Sequence, residues 1–188
     1  MKNILGKKMG MTTLYDQQQG ALNVTLIECE PNVVSTVRTN EKDGYIAVQL
    51  MIAKTSRVNH KKEFRNKGES AITLAVGDKV TVEDFAIGDV VKVSGIAKAK
   101  GFQGVVKRHG FSGAPASHGH KHDLRAPGSI GAQQPQHVIK GKKMAGRMGG
   151  KRKSTKNVKV VYLNIEKNLI GVLGAVPGVV GRIVEVRG

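Results

Sequence analysis

From residue 113 to residue 153 the chain shows no sustained apolar period of either 2 or 3.6 residues. A stretch of that length without an apolar face cannot bury enough surface to offset its own conformational entropy. Any core must therefore come from the residues on either side. The same region is chemically set apart. Residues 95–157 hold 14 of the 31 Lys and Arg, 12 of the 24 Gly and five of the six His, against one acid, Asp123. Of the formal net charge of +17, +13 lies in this third of the chain. A balance of that kind points to a polyanionic partner.

The flanks read as strands. Ala21–Glu30, Val33–Arg38 and Tyr45–Met51 are rich in β-branched residues, and Pro31-Asn32 and residues 40–44 separate them. Gly77-Asp78-Lys79-Val80-Thr81-Val82 recurs eleven residues later as Gly88-Asp89-Val90-Val91-Lys92-Val93, and each copy reads as a Gly-Asp turn feeding a strand. Val158–Ile165 and Asn168–Leu173 predict a hairpin, and residues 175–178 a turn into a last strand, Arg182–Val186. The expected fold is mainly β: a small closed β-barrel assembled from both ends of the chain, with a long irregular basic loop inserted between strands. Residues 54–69 are polar and charged, and are expected to form a short helix or solvated loop on the surface.

Several function classes fall away. Cys29 is the one cysteine, which excludes an intramolecular disulfide and a Cys-based zinc site and favours a reducing, intracellular compartment. Its β-branched surroundings predict a buried, inert thiol. The N-terminus lacks the apolar core of a signal peptide, and Leu169–Gly181, with four glycines and Pro177, is too short and broken to span a bilayer. No basic amphipathic helix is present to lie on a membrane. The nucleotide-binding and hydrolase templates GxxxxGK[ST], GxGxxG and GxSxG are absent, so no enzyme, catalytic residue, cofactor or small-molecule substrate is expected. His118, His120 and His122 with Asp123 are ligand types for zinc, but their alternate spacing in a glycine-containing loop enforces no tetrahedral geometry; histidines beside phosphate are expected, not a metal. Lys100–Lys107 superficially matches an RNA-recognition strand, yet Phe102 lacks the companion aromatics that stack bases.

What remains is a chain of lysines, arginines and glycines with Ser129, Gln133, Gln134 and Gln136 as uncharged hydrogen-bonding groups. Glycine lets the backbone follow an irregular surface, and the cations neutralise phosphates and release counterions. This suits a thread through folded RNA better than a flat docking face. The competing readings are a loop that binds any polyanion, a free DNA-compacting or RNA-chaperone barrel, and a hydrolase built on the three histidines.

Several blocks carry a more specific signal. Leu5-Gly6-Lys7-Lys8-Met9-Gly10-Met11-Thr12, Lys98–Arg108 (KAKGFQGVVKR), Ala126–Gly131 (APGSIG), Lys140–Gly146 (KGKKMAG) and Gly174–Gly178 (GAVPG) resemble, in order, the signatures of the large-subunit ribosomal protein L3 family, bacterial form. The resemblance implies a β-barrel body of translation-protein type at 1–96 and 154–188, and a central extension at 97–153 that threads into rRNA. It implies direct, early binding to 23S-type rRNA near its 3′ end, nucleation of subunit assembly, and an approach of the loop to the peptidyl transferase centre. The implied partners are large-subunit rRNA and neighbouring ribosomal proteins, in the cytoplasm. The loop proper would be residues 117–153 with its tip near 131–138. The candidate RNA contacts are Lys7, Lys8, Lys98, Lys100, Lys107, Arg108, His118, His120, Lys121, Arg125, Gln133, Gln134, Lys140, Lys142, Lys143, Arg147, Lys151, Arg152 and Lys153. The glutamine methylated in the family falls on Gln134, although the tip reads Ala132-Gln133-Gln134-Pro135 and is one residue shorter than the family's usual order.

Overall fold

A computed structural model describes residues 2–55, 58–66 and 74–188, with backbone alone at 54 and 55. The chain divides into two compact units, unit 1 comprising residues up to Ala97 and from Arg152 onward, and unit 2 comprising Lys98–Lys151. The secondary structure is mainly β.

Unit 1 holds two sheets. The strands are β1 (Asn3–Asp16), β2 (Gly20–Glu28), β3 (Asn32–Arg38), β4 (Ala47–Thr55), β5 (Val58–Arg65), β6 (Lys79–Val80) and β7 (Val90–Ile96). A four-residue helix α1 (Asn40–Asp43) and a 3-10 turn at Val82–Asp84 intervene. After unit 2, β10 (Arg152–Asn164), β11 (Leu169–Leu173) and β12 (Ile183–Arg187) complete the unit. Six strands pair in the order β1-β12-β7-β10-β11-β2, and the β1–β2 ladder closes the barrel. The remaining strands form a separate sheet ordered β5-β4-β3-β6, which the sequence reading did not distinguish from the barrel.

The start of β1 shows why two layers are needed. Ile4 and Leu5 are both fully buried, yet adjacent strand residues point to opposite faces. Ile4 joins the barrel cluster with Ile27, Val93, Val160, Ile170 and Val184, whereas Leu5 joins Val34, Val48, Leu50, Phe64 and Val80 of the second sheet. Buried Asn32 locks this junction: its side chain accepts from Leu5 N–H at 2.9 Å and donates to the carbonyls of Leu5 at 3.0 Å and Glu30 at 2.8 Å. Gly6 is required beside it, because a Cβ there would stand 2.4 Å from Cys29 Sγ and 2.5 Å from Ile27 Cγ2. Cys29 is itself fully buried, and desolvation, with a smaller contribution from Glu28, pushes its thiol pKa well up.

The Gly-Asp repeat is one device used twice. Gly77 and Gly88 take φ of 99° and 96°, and Asp78 and Asp89 accept from the N–H of Ala75 and Ala86 at 2.7 and 3.0 Å. The first turn docks on β3 through Gly77 N–H to Val34 O (2.9 Å), and the second on β10 through Gly88 N–H to Val160 O (2.8 Å).

The expected helix or loop at 54–69 is corrected over its described part: Val58–Arg65 is strand β5, paired along β4 from Ala47↔Arg65 to Thr55↔Val58. Phe64 drives the strand into the second core, and the charged residues line a sheet edge, where they discourage pairing with other chains. Residues 56, 57 and 67–69 lie outside the described residues.

Candidate nucleic-acid interface

Unit 2 starts and ends on one short ladder. β8 (Phe102–Gln103) pairs with β9 (Gly146–Arg147), and Lys100 and Met148 extend the pairing through Lys100 N–H to Met148 O and Met148 N–H to Gly101 O, both 2.9 Å. The approach is close enough to demand glycine: at Gly149, with φ of 73°, a Cβ would lie 2.0 Å from Lys98 O. Helix α2 (Val105–His109) follows, anchored by buried Val105 and ended by Gly110 in the left-handed conformation. From the helix, Arg108 Nη1 donates to Met144 O at 2.5 Å and His109 Nε2 lies 3.1 Å from the same carbonyl. A carbonyl only accepts, so Nε2 of His109 carries the proton.

Beyond the helix, residues 110–145 contain neither helix nor strand. Gly113 (φ 71°) brings the chain back on itself, a Cβ there lying 3.1 Å from Arg125 N. Turns at His118 and Arg125 use positive φ, and Ala126 N–H closes on Asp123 O at 3.0 Å. Every residue from 127 to 145 is exposed. Its hydrogen bonds are local until Met144: Ser129 Oγ to Gly131 O, His137 Nδ1 to Pro135 O, and Lys142 N–H to Ile139 O, at 2.8, 3.0 and 3.2 Å. Backbone polar groups require partners, so most of those in this segment are left for water or for another molecule. Unit 2 carries eleven Lys and Arg against Asp123 alone, and it has no salt bridge among the described residues.

The candidate contacts divide by environment. Lys98, Lys100, Lys107, His118, His120, Lys121, Arg125, Gln133, Gln134, Lys140, Lys142, Lys143, Arg147 and Lys151 are all exposed in unit 2. Arg108 is half-buried, and its guanidinium lies against Gly146, so it orders unit 2 internally. Lys7 is exposed on β1, and Lys153 is exposed at the start of β10. Arg152 begins β10 and is ion-paired with Glu185. Lys8 is a correction. It is buried in unit 1, where Nζ donates to the carbonyls of Val176 at 2.8 Å and Gly178 at 3.1 Å, tying the closing Gly174–Gly178 turn to β1. An ammonium so enclosed is not presented to a nucleic acid. Its position next to exposed Lys7 gave no signal of this, since the inward turn of Lys8 follows from strand alternation in a β1 that sequence reading did not predict. Lys156, outside that candidate set, is also exposed, where β10 bulges between Thr155 and Val158.

Among the described residues no three His, Cys, Asp or Glu side chains group as a metal site, and no helix is long and apolar enough to cross a membrane. Lys100–Lys107 does not form a continuous strand: two residues of β8 give way to α2.

Comparison with known proteins bears on the whole chain. The family model described as Ribosomal protein L3 matches residues 66–168. Large ribosomal subunit protein uL3 of Thioalkalivibrio sulfidiphilus is 43% identical over 203 aligned residues, covering 98% of this chain and 95% of the relative. Proteins with the same description from Alkalilimnicola ehrlichii and Bacillus mycoides are 44% and 42% identical, covering 98% and 100% of this chain and 93% and 96% of their own.

Proposed function

The chain belongs to the ribosomal protein L3 family, and from that premise we propose that unit 2 is the element through which it engages large-subunit rRNA. The protein is a structural component of the large ribosomal subunit, located in the ribosome in the cytoplasm, and not an enzyme. In the proposed reading it binds 23S-type rRNA directly near the 3′ end, nucleates early assembly and carries the 127–145 segment towards the peptidyl transferase centre. Neighbouring large-subunit proteins complete its surroundings.

The observation that carries this reading is the combination of full exposure, local hydrogen bonding and unopposed positive charge across 127–145. Lys140, Lys142, Lys143 and Arg147 would neutralise phosphates, each releasing condensed counterions. Gln133 and Gln134 would supply donors and acceptors to bases or ribose hydroxyls at no charge cost. The β8–β9 ladder and the Arg108 and His109 bonds to Met144 would fix the two arms of the segment, so that binding orders fewer residues. The effect on peptide-bond formation would be positional, through packing of nearby nucleotides. Exposed Gln134 is the proposed methylation site.

Sucrose-gradient fractionation of a host lysate with a high-salt wash tests the reading. One copy per large subunit, surviving the wash, is expected. Recovery in the light fractions, or loss from all particles in salt, would instead favour a free nucleic-acid-binding protein.

A further inference from the structure

A second concentration of positive charge lies within unit 1, assembled from strands far apart in the chain. A concavity of about 260 Å³ is lined by five cations from four strands: Lys62 and Arg65 of β5, Lys92 of β7, Arg152 of β10 and Arg187 of β12. Two carboxylates share the lining, and both are engaged. Glu185 takes Arg152 and, at 3.6 Å, Lys62. Glu63 accepts from Arg38 Nε at 3.1 Å and from Tyr45 Oη at 3.3 Å. The lining therefore carries a net charge of about three, and Lys92 and Arg65 have no carboxylate partner among the described residues.

Two features mark this as a built site and not a scatter of surface charge. Lys92 and Arg187 are directly opposite in the β7–β12 register, a like-charge pairing that costs stability unless something negative lies between them. The arginines are also held in place. Arg187 donates from Nε to Asn3 Oδ1 and from Nη2 to Arg65 O, both at 3.2 Å, and its guanidinium lies 5.5 Å from the centre of the Phe64 ring. Arg65 stacks 4.0 Å from the centre of the Tyr45 ring, which leaves the edge of its planar fork free. Ser94, joined to Ser154 at 2.7 Å, adds a hydroxyl to the lining.

We infer that this concavity binds a phosphodiester of an RNA strand, a contact separate from the one assigned to unit 2. Fixed guanidinium forks match phosphate oxygens, and a phosphate between Lys92 and Arg187 would turn their repulsion into two attractions. The inference rests on the rRNA-binding reading and adds a second anchor to it.

The test uses the full-length protein and protein-free large-subunit rRNA, comparing the slope of log affinity against log salt for the Arg65→Gln, Lys92→Gln double variant and the parent. A fall in slope of about 1.5, restored by Arg65→Lys with Lys92→Arg, is expected. An unchanged slope overturns the inference. A variant with unchanged slope that nonetheless fails to enter the large subunit also overturns it, and assigns the site to a carboxylate of a neighbouring protein. Lys140, Lys142 and Lys143→Gln, measured in parallel, separates the two claims: if that variant loses slope and the double variant does not, only the second anchor fails. Thermal melting of each variant identifies any slope change that comes from unfolding.

Discussion

In unit 1, Arg38 sits between Asp43 and Glu63, Lys2 meets Asp89 at 2.7 Å, and Glu185 takes Arg152 and Lys62. In unit 2, eleven Lys and Arg face a single acid, and no ion pair forms among the described residues. The two units also use different means to specify their backbones. Unit 1 is held by valines, isoleucines and leucines at less than 10% exposure, in two clusters. Unit 2 has Val105 as its buried apolar anchor and relies on glycines such as Gly149 and Gly113 that permit close backbone contacts. The contrast separates a region that folds on its own surface burial from one with little apolar burial of its own, which the proposed reading assigns to a partner.

The largest expected effect breaks the function of one unit and spares the stability of the other. Replacing Lys140, Lys142 and Lys143 by Gln should lower the salt slope of rRNA binding by about 2 to 3 and weaken binding by orders of magnitude at low salt. Because these side chains are exposed and have no ion-pair partner among the described residues, the denaturation midpoint should stay unchanged. A shifted midpoint would show that the extension contributes to the body's stability.

The reverse experiment targets the barrel. Ile170 is fully buried, and Ile170→Ala should cost about 2–5 kcal/mol in denaturant unfolding. While the protein remains folded, its RNA salt slope should match the parent. Ile139→Ala in unit 2, at 63% exposure, should change stability by less than about 0.5 kcal/mol.

This division was only partly legible in the sequence. β2, β3, β4, the β10–β11 hairpin and both Gly-Asp turns announced themselves through β-branched runs and turn residues. β1 did not, although it pairs with both β2 and β12, because Gly6, Lys7, Lys8 and Gly10 interrupt the pattern. Two of these interruptions have a cause visible only in three dimensions: Gly6 gives room to Cys29, and Lys8 bonds a turn more than 160 residues away in sequence. β5 was hidden for the opposite reason, since an edge strand needs few apolar residues and Phe64 alone supplies its deep anchor. In the candidate interface the charge was legible, but not which cations point inward. Arg108 and Lys8 look like their neighbours in sequence and differ from them in burial.

A smaller effect sharpens the picture of unit 2. Gly149→Ala forces a Cβ to within 2.0 Å of Lys98 O at a φ of 73°. It should abolish hydrogen-exchange protection of the Lys100 and Met148 amides, leaving the barrel amides protected. Loss of protection in both units would show that the β8–β9 ladder is coupled to the body.

The smallest effect concerns pH. Hydrogen bonds from Lys2 and from the Ala86 N–H hold the Asp89 carboxyl below its ordinary value. A carboxylate with a lowered folded pKa contributes stability in full above its unfolded value, near 4, and loses it as pH falls through the folded value. Asp89→Asn should therefore lower the melting temperature slightly at pH 6, and the difference from the parent should vanish under strong acid. A difference that persisted there would assign the effect to the turn and not to the charge.

Hydrogen exchange of the amides in residues 127–145, compared between the free protein and its complex with protein-free large-subunit rRNA, addresses the partner-ordered extension itself. The account predicts fast exchange in the free chain and strong protection in the complex, with the buried barrel amides protected in both. Protection of 127–145 before RNA is added, or fast exchange that persists after binding, would contradict it.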